Sequence, residues 1–184
     1  MTPAAFLLAA GPASRFADGH KLIADFRGHP LVWWGASAAL DAGFARVHVV
    51  WGAVDLADHV PDGVELVPHP RWAAGQGSSL GRAVEVATAE GYDAFVVGPA
   101  DQPLVPPEAW RRVAASTSPI AVATFDGRPR NPVLLAAEVW DLLPRTGDEG
   151  ARRLVRDRDD LVEAIPCPGD PIDIDTVEDL ARWS

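Results

Sequence analysis

Short apolar runs recur along the chain at 4–10 (AAFLLAA), 46–52 (RVHVVWG), 64–67 (VELV), 94–98 (AFVVG) and 120–125 (IAVATF). Runs of this length, apolar at neighbouring positions, predict strands buried on both faces. Between them the spacing becomes helical. Segment 30–43 opens with Pro30, suited to a first helical turn, and closes at Gly43. Segment 78–91 starts at Ser78, a cap candidate, carries Leu80, Val84 and Ala87 at i, i+4 and i+7, and ends at Gly91. Strands alternating with helices predict βαβ units, hence an α/β fold: a Rossmann-like three-layer domain with a mainly parallel sheet. The 184 residues fit one domain, spanning 1–184.

In such sheets ligands gather at the carboxyl ends of the strands. The segments expected there are 11–21 (GPASRFADGHK), 68–80 (PHPRWAAGQGSSL), 99–103 (PADQP) and 126–133 (DGRPRNPV), and they hold much of the charge and glycine.

Composition narrows the chemistry. The net charge is −10, from 26 acids against 16 bases, a surface that repels nucleic acid. The single cysteine, Cys167, excludes an internal disulfide and a thiol-rich zinc site, and suits a reducing compartment. The apolar run 4–10 is too short to cross a membrane and follows no basic segment, so the expectation is a soluble, cytoplasmic protein with no membrane association. There is no Walker-type glycine–lysine motif. The glycines of GQGSSLG miss the dinucleotide-binding spacing by one place. The five histidines lie far apart in sequence and give no reason to expect a histidine metal site.

Three stretches carry candidate chemistry. In 7–21 (LLAAGPASRFADGHK), Gly11 lets the chain turn without a side chain against a ligand, and successive backbone N–H groups in such a turn can form an anion nest. Arg15 can grip phosphate oxygens as a fork and Lys21 can supply a point charge. A solvated loop explains the same residues, and the two readings stand level on these residues alone. In 96–105 (VVGPADQPLV), Asp101 follows a strand between Pro99 and Pro103, where a carboxylate serves either a hard cation or a turn. In 173–180 (DIDTVEDL), Asp173 and Asp175 alternate as on a strand before a helix, and Thr176 with Asp179 resembles a capping box. Thr176 can cap while Asp175 binds metal. Trp33 and Trp34, adjacent on a helix, point about 100° apart. That leaves edge packing or a self-association face, and with it a homodimer, open.

Taken in order, these stretches resemble the MobA-like nucleotidyltransferases, and among them the molybdenum cofactor cytidylyltransferases. The first family signature is matched by Leu8, Ala9, Ala10, Gly11, Arg15, Phe16 and Lys21. RWAAGQGSSL (71–80), ADQPLV (100–105), RNPVLL (130–135), GDEGARRLV (147–155) and DIDTVEDL (173–180) follow in the family's order. Ala13 stands in the place of the family serine, Ala17 in that of a glycine, and Ala100 in that of the glycine before the aspartate.

The resemblance implies a nucleotide-diphospho-sugar transferase type of fold with a mixed sheet, and a Mg2+-dependent enzyme, Mn2+ being an alternative. It implies transfer of CMP from CTP to molybdopterin with release of pyrophosphate. Arg15, Lys21 and Asp101 would be catalytic. Leu8, Ala9, Ala10, Gly11, Arg15 and Lys21 would bind nucleotide, with Ala10 favouring CTP over GTP. Gly75, Gln76, Ser78, Ser79, Asn131, Pro132 and Arg152 would bind the acceptor, and Asp101 and Asp175 the metal. A molybdoenzyme or its chaperone would be the downstream partner. Guanylyl transfer to a small phosphorylated acid, use of a sugar phosphate, and a non-catalytic cofactor-binding role are the alternatives.

Overall fold

In the computed structural model, which describes residues 3–17 and 19–184, each of the five apolar runs forms a strand, 120–125 with its bounds unchanged and the others extended or cut by a residue or two. In chain order the elements are β1 (Ala4–Ala9), a small hairpin of β2 (Asp25–Phe26) and β3 (His29–Pro30), α1 (Leu31–Asp41), β4 (Val47–Trp51), β5 (Val64–Pro68), α2 (Gln76–Ala89) and β6 (Ala94–Pro99). They continue with α3 (Pro107–Ala114), β7 (Ile120–Phe125), β8 (Arg128–Ala136), α4 (Ala151–Asp157), β9 (Val162–Pro166) and α5 (Val177–Trp183).

The main sheet has seven strands in the order β5-β4-β1-β6-β8-β7-β9. Every neighbouring pair is parallel except the two made by β8, which runs against β6 and β7. The sheet is therefore mixed, with one reversed strand.

Burial on both faces explains the apolar runs of β1, β4, β6 and β7. On one face Leu7, Val49, Val96 and Leu134 pack with Val32 and Ala36 of α1 and Ala109 and Trp110 of α3. On the other, Phe6, Val50, Phe95 and Leu135 pack with Leu80, Ala83 and Val84 of α2 and with Trp140. At about 25 cal/mol per Å² of apolar surface, each such buried side chain contributes roughly 1.5–3 kcal/mol. A third, smaller cluster joins Phe26, Leu31 and Ile174 with Trp34, Leu104, Leu180 and Trp183. It ties the hairpin and α5 to the segment that carries Asp175. No helix among the described residues is long and apolar enough to cross a membrane.

Three expectations change. Segment 126–133 is not a loop at a strand end. Asp126 and Gly127 make the turn of the β7–β8 hairpin, and 128–136 is strand. Prolines argue against a strand because they cannot donate to the ladder. Here the register shifts between Val122 and Ala123, and Asn131 and Pro132 occupy that irregularity. Second, α2 begins two residues ahead of Ser78, whose hydroxyl donates to the Gly75 carbonyl at 2.7 Å instead of capping from outside. Third, residues 173–175 are irregular, not a strand. Thr176 does cap α5 through a reciprocal capping box with Asp179.

Trp33 and Trp34 are both half-buried. Trp33 stacks on His29 at 3.9 Å, and the Trp34 Nε1–H donates to the Phe26 carbonyl at 2.7 Å, so both brace the hairpin.

Candidate functional site

The carboxyl ends of β1 and β6 open onto a cleft of about 470 Å³. Leu8, Ala9, Ala10, Gly11, Arg15, Lys21, Gly75, Gln76, Ser79, Asp101 and Asp175 all line it. The first loop leaves β1 at Ala10, whose carbonyl accepts from Ala53 N–H at 3.2 Å. Among the described residues of that loop, Ala13 at φ +51° and Gly19 at φ +76° are left-handed, and Gly11 is not. A Cβ built on Gly11 would meet nothing within 4 Å, so this glycine faces open cleft. Buried Phe16 anchors the turn, with its N–H donating to the Ala13 carbonyl at 2.9 Å.

At the centre is Lys21. Its Nζ lies 2.6 Å from Asp101 Oδ2 and 2.7 Å from Asp175 Oδ1. Arg15 Nη2 lies 2.8 Å from Asp175 Oδ2. Asp101 and Asp175 are 80 and 154 residues from Lys21 in sequence, and the sheet brings all three together. Burial alone would lower the Lys21 pKa. The charge of Asp101, then hydrogen bonds to both carboxylates, more than offset this, and the pKa is raised. Arg15, with 72% of its side chain exposed, makes a much weaker pair.

The two aspartates are held by backbone. Ile174 N–H donates to the Asp101 carbonyl at 3.0 Å, and the Ile174 side chain is fully buried. That anchor sets Asp175 against Lys21. Asp173, on the other side of Ile174, accepts instead from Gln102 Nε2 at 2.9 Å. Its residue surface is largely exposed, yet its carboxyl faces inward to Gln102. Desolvation first, and then the Asp101 charge, push its pKa up, while Gln102 and Arg152 oppose the rise.

The donor set fits a hard cation. Two carboxylates meet at one point, and Asp101 Oδ1 is buried without a hydrogen-bond partner. Such an orphaned oxygen is costly unless a ligand uses it.

The proposed acceptor residues divide. Gly75, Gln76 and Ser79 line the cleft, as do Trp72 and Asp148. The hydroxyl of Ser78 is taken up by buried His69, whose Nε2 lies 2.9 Å away. Asn131 and Pro132 sit within β8, and Arg152 on α4; none of the three lines the cleft. Gly75 and Gly77 have a packing role as well. A Cβ on Gly75, at φ +95°, would stand 2.7 Å from the Gly147 carbonyl oxygen, and one on Gly77 would stand 2.6 Å from that of Thr146. Gly77 N–H donates to the Gly147 carbonyl at 2.7 Å, so these glycines let segment 146–147 dock directly on the start of α2.

Sequence patterns miss His20. Its Nδ1 accepts from Leu22 N–H at 3.3 Å, which leaves the proton on Nε2 to donate to the Gly11 carbonyl at 3.0 Å. One neutral ring thereby joins the two ends of the loop between Gly11 and Lys21. Burial lowers its pKa, the Gly11 bond opposes that, and nearby Lys21 adds to the lowering. Gln102 is missed too. The only available signal was its place beside Asp101 in a proline-braced loop.

Residues 5–162 match the MobA-like NTP transferase domain. Among solved structures, a nucleotidyl transferase from Methanothermobacter is similar at 23% identity and a TM-score of 0.81, covering 98% of this chain and 95% of its own. The Rv0371c protein of Mycobacterium tuberculosis H37Rv is similar at 25% identity and a TM-score of 0.81, covering 99% and 97%. Its homologue from Mycobacterium sp. strain JC1 is similar at 26% identity and a TM-score of 0.82, covering 98% and 94%. No curated protein matches the chain.

Proposed function

Because this chain belongs to the MobA-like NTP transferase family and is thus a nucleotidyltransferase, we propose that it transfers CMP from CTP to a molybdopterin-type acceptor. The observation that carries the reading is the meeting of Asp101 and Asp175 on Lys21, beside Arg15, at the carboxyl ends of the strands. A triphosphate and its counter-ion bound there would meet all four charged groups.

The chemistry asks little covalent work of the protein. A phosphate oxygen of the acceptor attacks the α-phosphorus of CTP. A new P–O bond forms, the bond to the bridging oxygen breaks with its electron pair, and pyrophosphate leaves. The Gly11 loop, Arg15 and Lys21 bind the triphosphate and neutralise the charge that grows on the leaving group. Backbone groups of Leu8 to Ala10 face the base edge, with the Ala10 methyl favouring cytosine. Gly75, Gln76 and Ser79 form the acceptor side of the cleft. Asp101 and Asp175 would hold Mg2+, or Mn2+ in its place, and the ion would supply positive charge to offset that of the triphosphate. A manganese complex has been solved for Rv0371c.

The test is pyrophosphate release with each nucleotide in the presence of molybdopterin. CTP should exceed GTP by at least about tenfold, equivalent to about 1.4 kcal/mol. Equal rates, or a preference for GTP, would remove the cytidylyl assignment while leaving nucleotidyl transfer intact.

A further inference from the structure

At the far end of α2 from the cleft, three side chains converge that the nucleotide chemistry does not use. His48 lies on β4, Glu65 directly beside it on β5, and Glu90 caps the carboxyl end of α2. We propose that His48, Glu65 and Glu90 form a second divalent-cation site, suited to zinc, which fastens the edge of the sheet to the end of α2.

His48 is 1% exposed and stacks on Phe6 with ring centroids 4.6 Å apart. Its two ring nitrogens are both buried, and neither has a hydrogen-bond partner among the described residues. A buried imidazole with neither nitrogen satisfied is rare and costly, and a bound ion would satisfy one of the two. Both nitrogens look at carboxylates. Nε2 is 3.4 Å from Glu90 Oε2, and Nδ1 is 3.8 Å from Glu65 Oε2. Neither contact is a hydrogen bond. The far oxygen of Glu65 is held by Arg46, which leaves Oε2 turned toward His48.

One imidazole nitrogen and two carboxylate oxygens are the mixed nitrogen and oxygen donors that zinc accepts, whereas magnesium prefers oxygen alone. The three ligand atoms lie within 4.8 Å of one another. Zinc bonds of about 2.0–2.2 Å need ligand atoms roughly 3.3 Å apart. Closing the site therefore takes side-chain movement of the order of 1 Å. Glu65 and Glu90 have it to give, with side chains 40% and 36% exposed. Water would complete the coordination. The site is distinct from the cleft, because α2 has 14 residues and, at about 1.5 Å each, spans roughly 20 Å from Gln76 to its far end. The inference rests on nothing in the nucleotide reading.

The experiment is equilibrium dialysis of the full chain, stripped with EDTA, against zinc chloride without nucleotide, with metal measured by atomic emission. Glu90→Gln and Glu65→Gln change half-exposed carboxylates and leave the core untouched. An Asp101→Asn/Asp175→Asn variant removes the carboxylates of the cleft. Zinc affinity at one equivalent should fall by at least about tenfold in Glu90→Gln and further in the double glutamine variant, while the cleft variant keeps it. Zinc should raise the melting temperature of the wild type and not that of the double glutamine variant. The proposal is overturned if zinc binding is equal in wild type and the double glutamine variant, if only the cleft variant loses it, or if no zinc binds at all.

Discussion

Lys21 holds two carboxylates that a divalent cation would also need, so ammonium and metal compete for the same oxygens. At an effective dielectric of about 20, unit charges 4 Å apart interact by about 4 kcal/mol, enough to suppress metal binding. Lys21→Met should therefore bind Mn2+ at least about tenfold more tightly without nucleotide, even as turnover falls. Titration calorimetry reads the first and pyrophosphate release the second. Unchanged or weaker Mn2+ affinity would mean that the cation sits elsewhere. Arg15 differs, because its side chain is mostly in solvent and, among the described residues, one weak pair holds it. Arg15→Ala should lose about 10²-fold or more in turnover, the scale of one lost transition-state donor, with little change in melting temperature. A variant that unfolds would instead make Arg15 a structural residue.

The element that decides the site is the irregular segment between Pro171 and Thr176, which no strand pairing supports. Its position depends on one buried side chain, Ile174, on the Ile174–Asp101 backbone bond, and on the capping box that starts α5. Ile174→Ala should cost about 2–5 kcal/mol, as for other large-to-small changes in a closed core. In protein that is still folded it should also lower turnover by about tenfold, because Asp175 is no longer aimed at Lys21. Urea unfolding and an assay well below the unfolding midpoint separate the two effects. Loss of stability with full turnover would show that Asp175 keeps its place without the anchor.

Across the whole molecule, stability should depend on pH through three histidines. Burial comes first among the causes that lower the pKa of His20, His48 and His69 below the ordinary value of 6.5. The unfolded chain then binds protons at a higher pH than the fold does. The stability these groups contribute is present above about 6.5 and lost as the pH falls through their lower folded values. Lys21 works the other way: its contribution is present below 10.5 and lost only as the pH rises through its raised value, so it leaves the neutral range unchanged. In EDTA, the urea midpoint should fall steadily from pH 7.5 to 5.5. A flat or rising midpoint over that window would mean that the three rings are protonated as readily in the fold as outside it.

Local physics determined much of this protein from its sequence. Strands buried on both faces must be apolar at neighbouring positions, so β1, β4, β6 and β7 were legible as runs, and half-buried β5 at the sheet edge was legible from its shorter run. The Thr176 cap was legible because its partner lies only three residues on. Ordered motifs carried the family. Tertiary structure alone decided the rest. Prolines at 129 and 132 argued against β8, which is tolerated because Asn131 and Pro132 fall where the register shifts. β9 is mostly exposed at the edge of the sheet, and its VEAIP, though close in pattern to the VELVP of β5, did not stand out as a run. The docking of segment 146–147 onto Gly75 and Gly77 joins backbone to backbone and leaves no trace in side-chain pattern. Lys21, Asp101 and Asp175 meet, and His48, Glu65 and Glu90 meet, only because of the order in which the strands pair. Periodicity reports neighbours within a turn or two of chain, whereas strand order, set by the packing of the whole sheet, chooses which distant residues share a site.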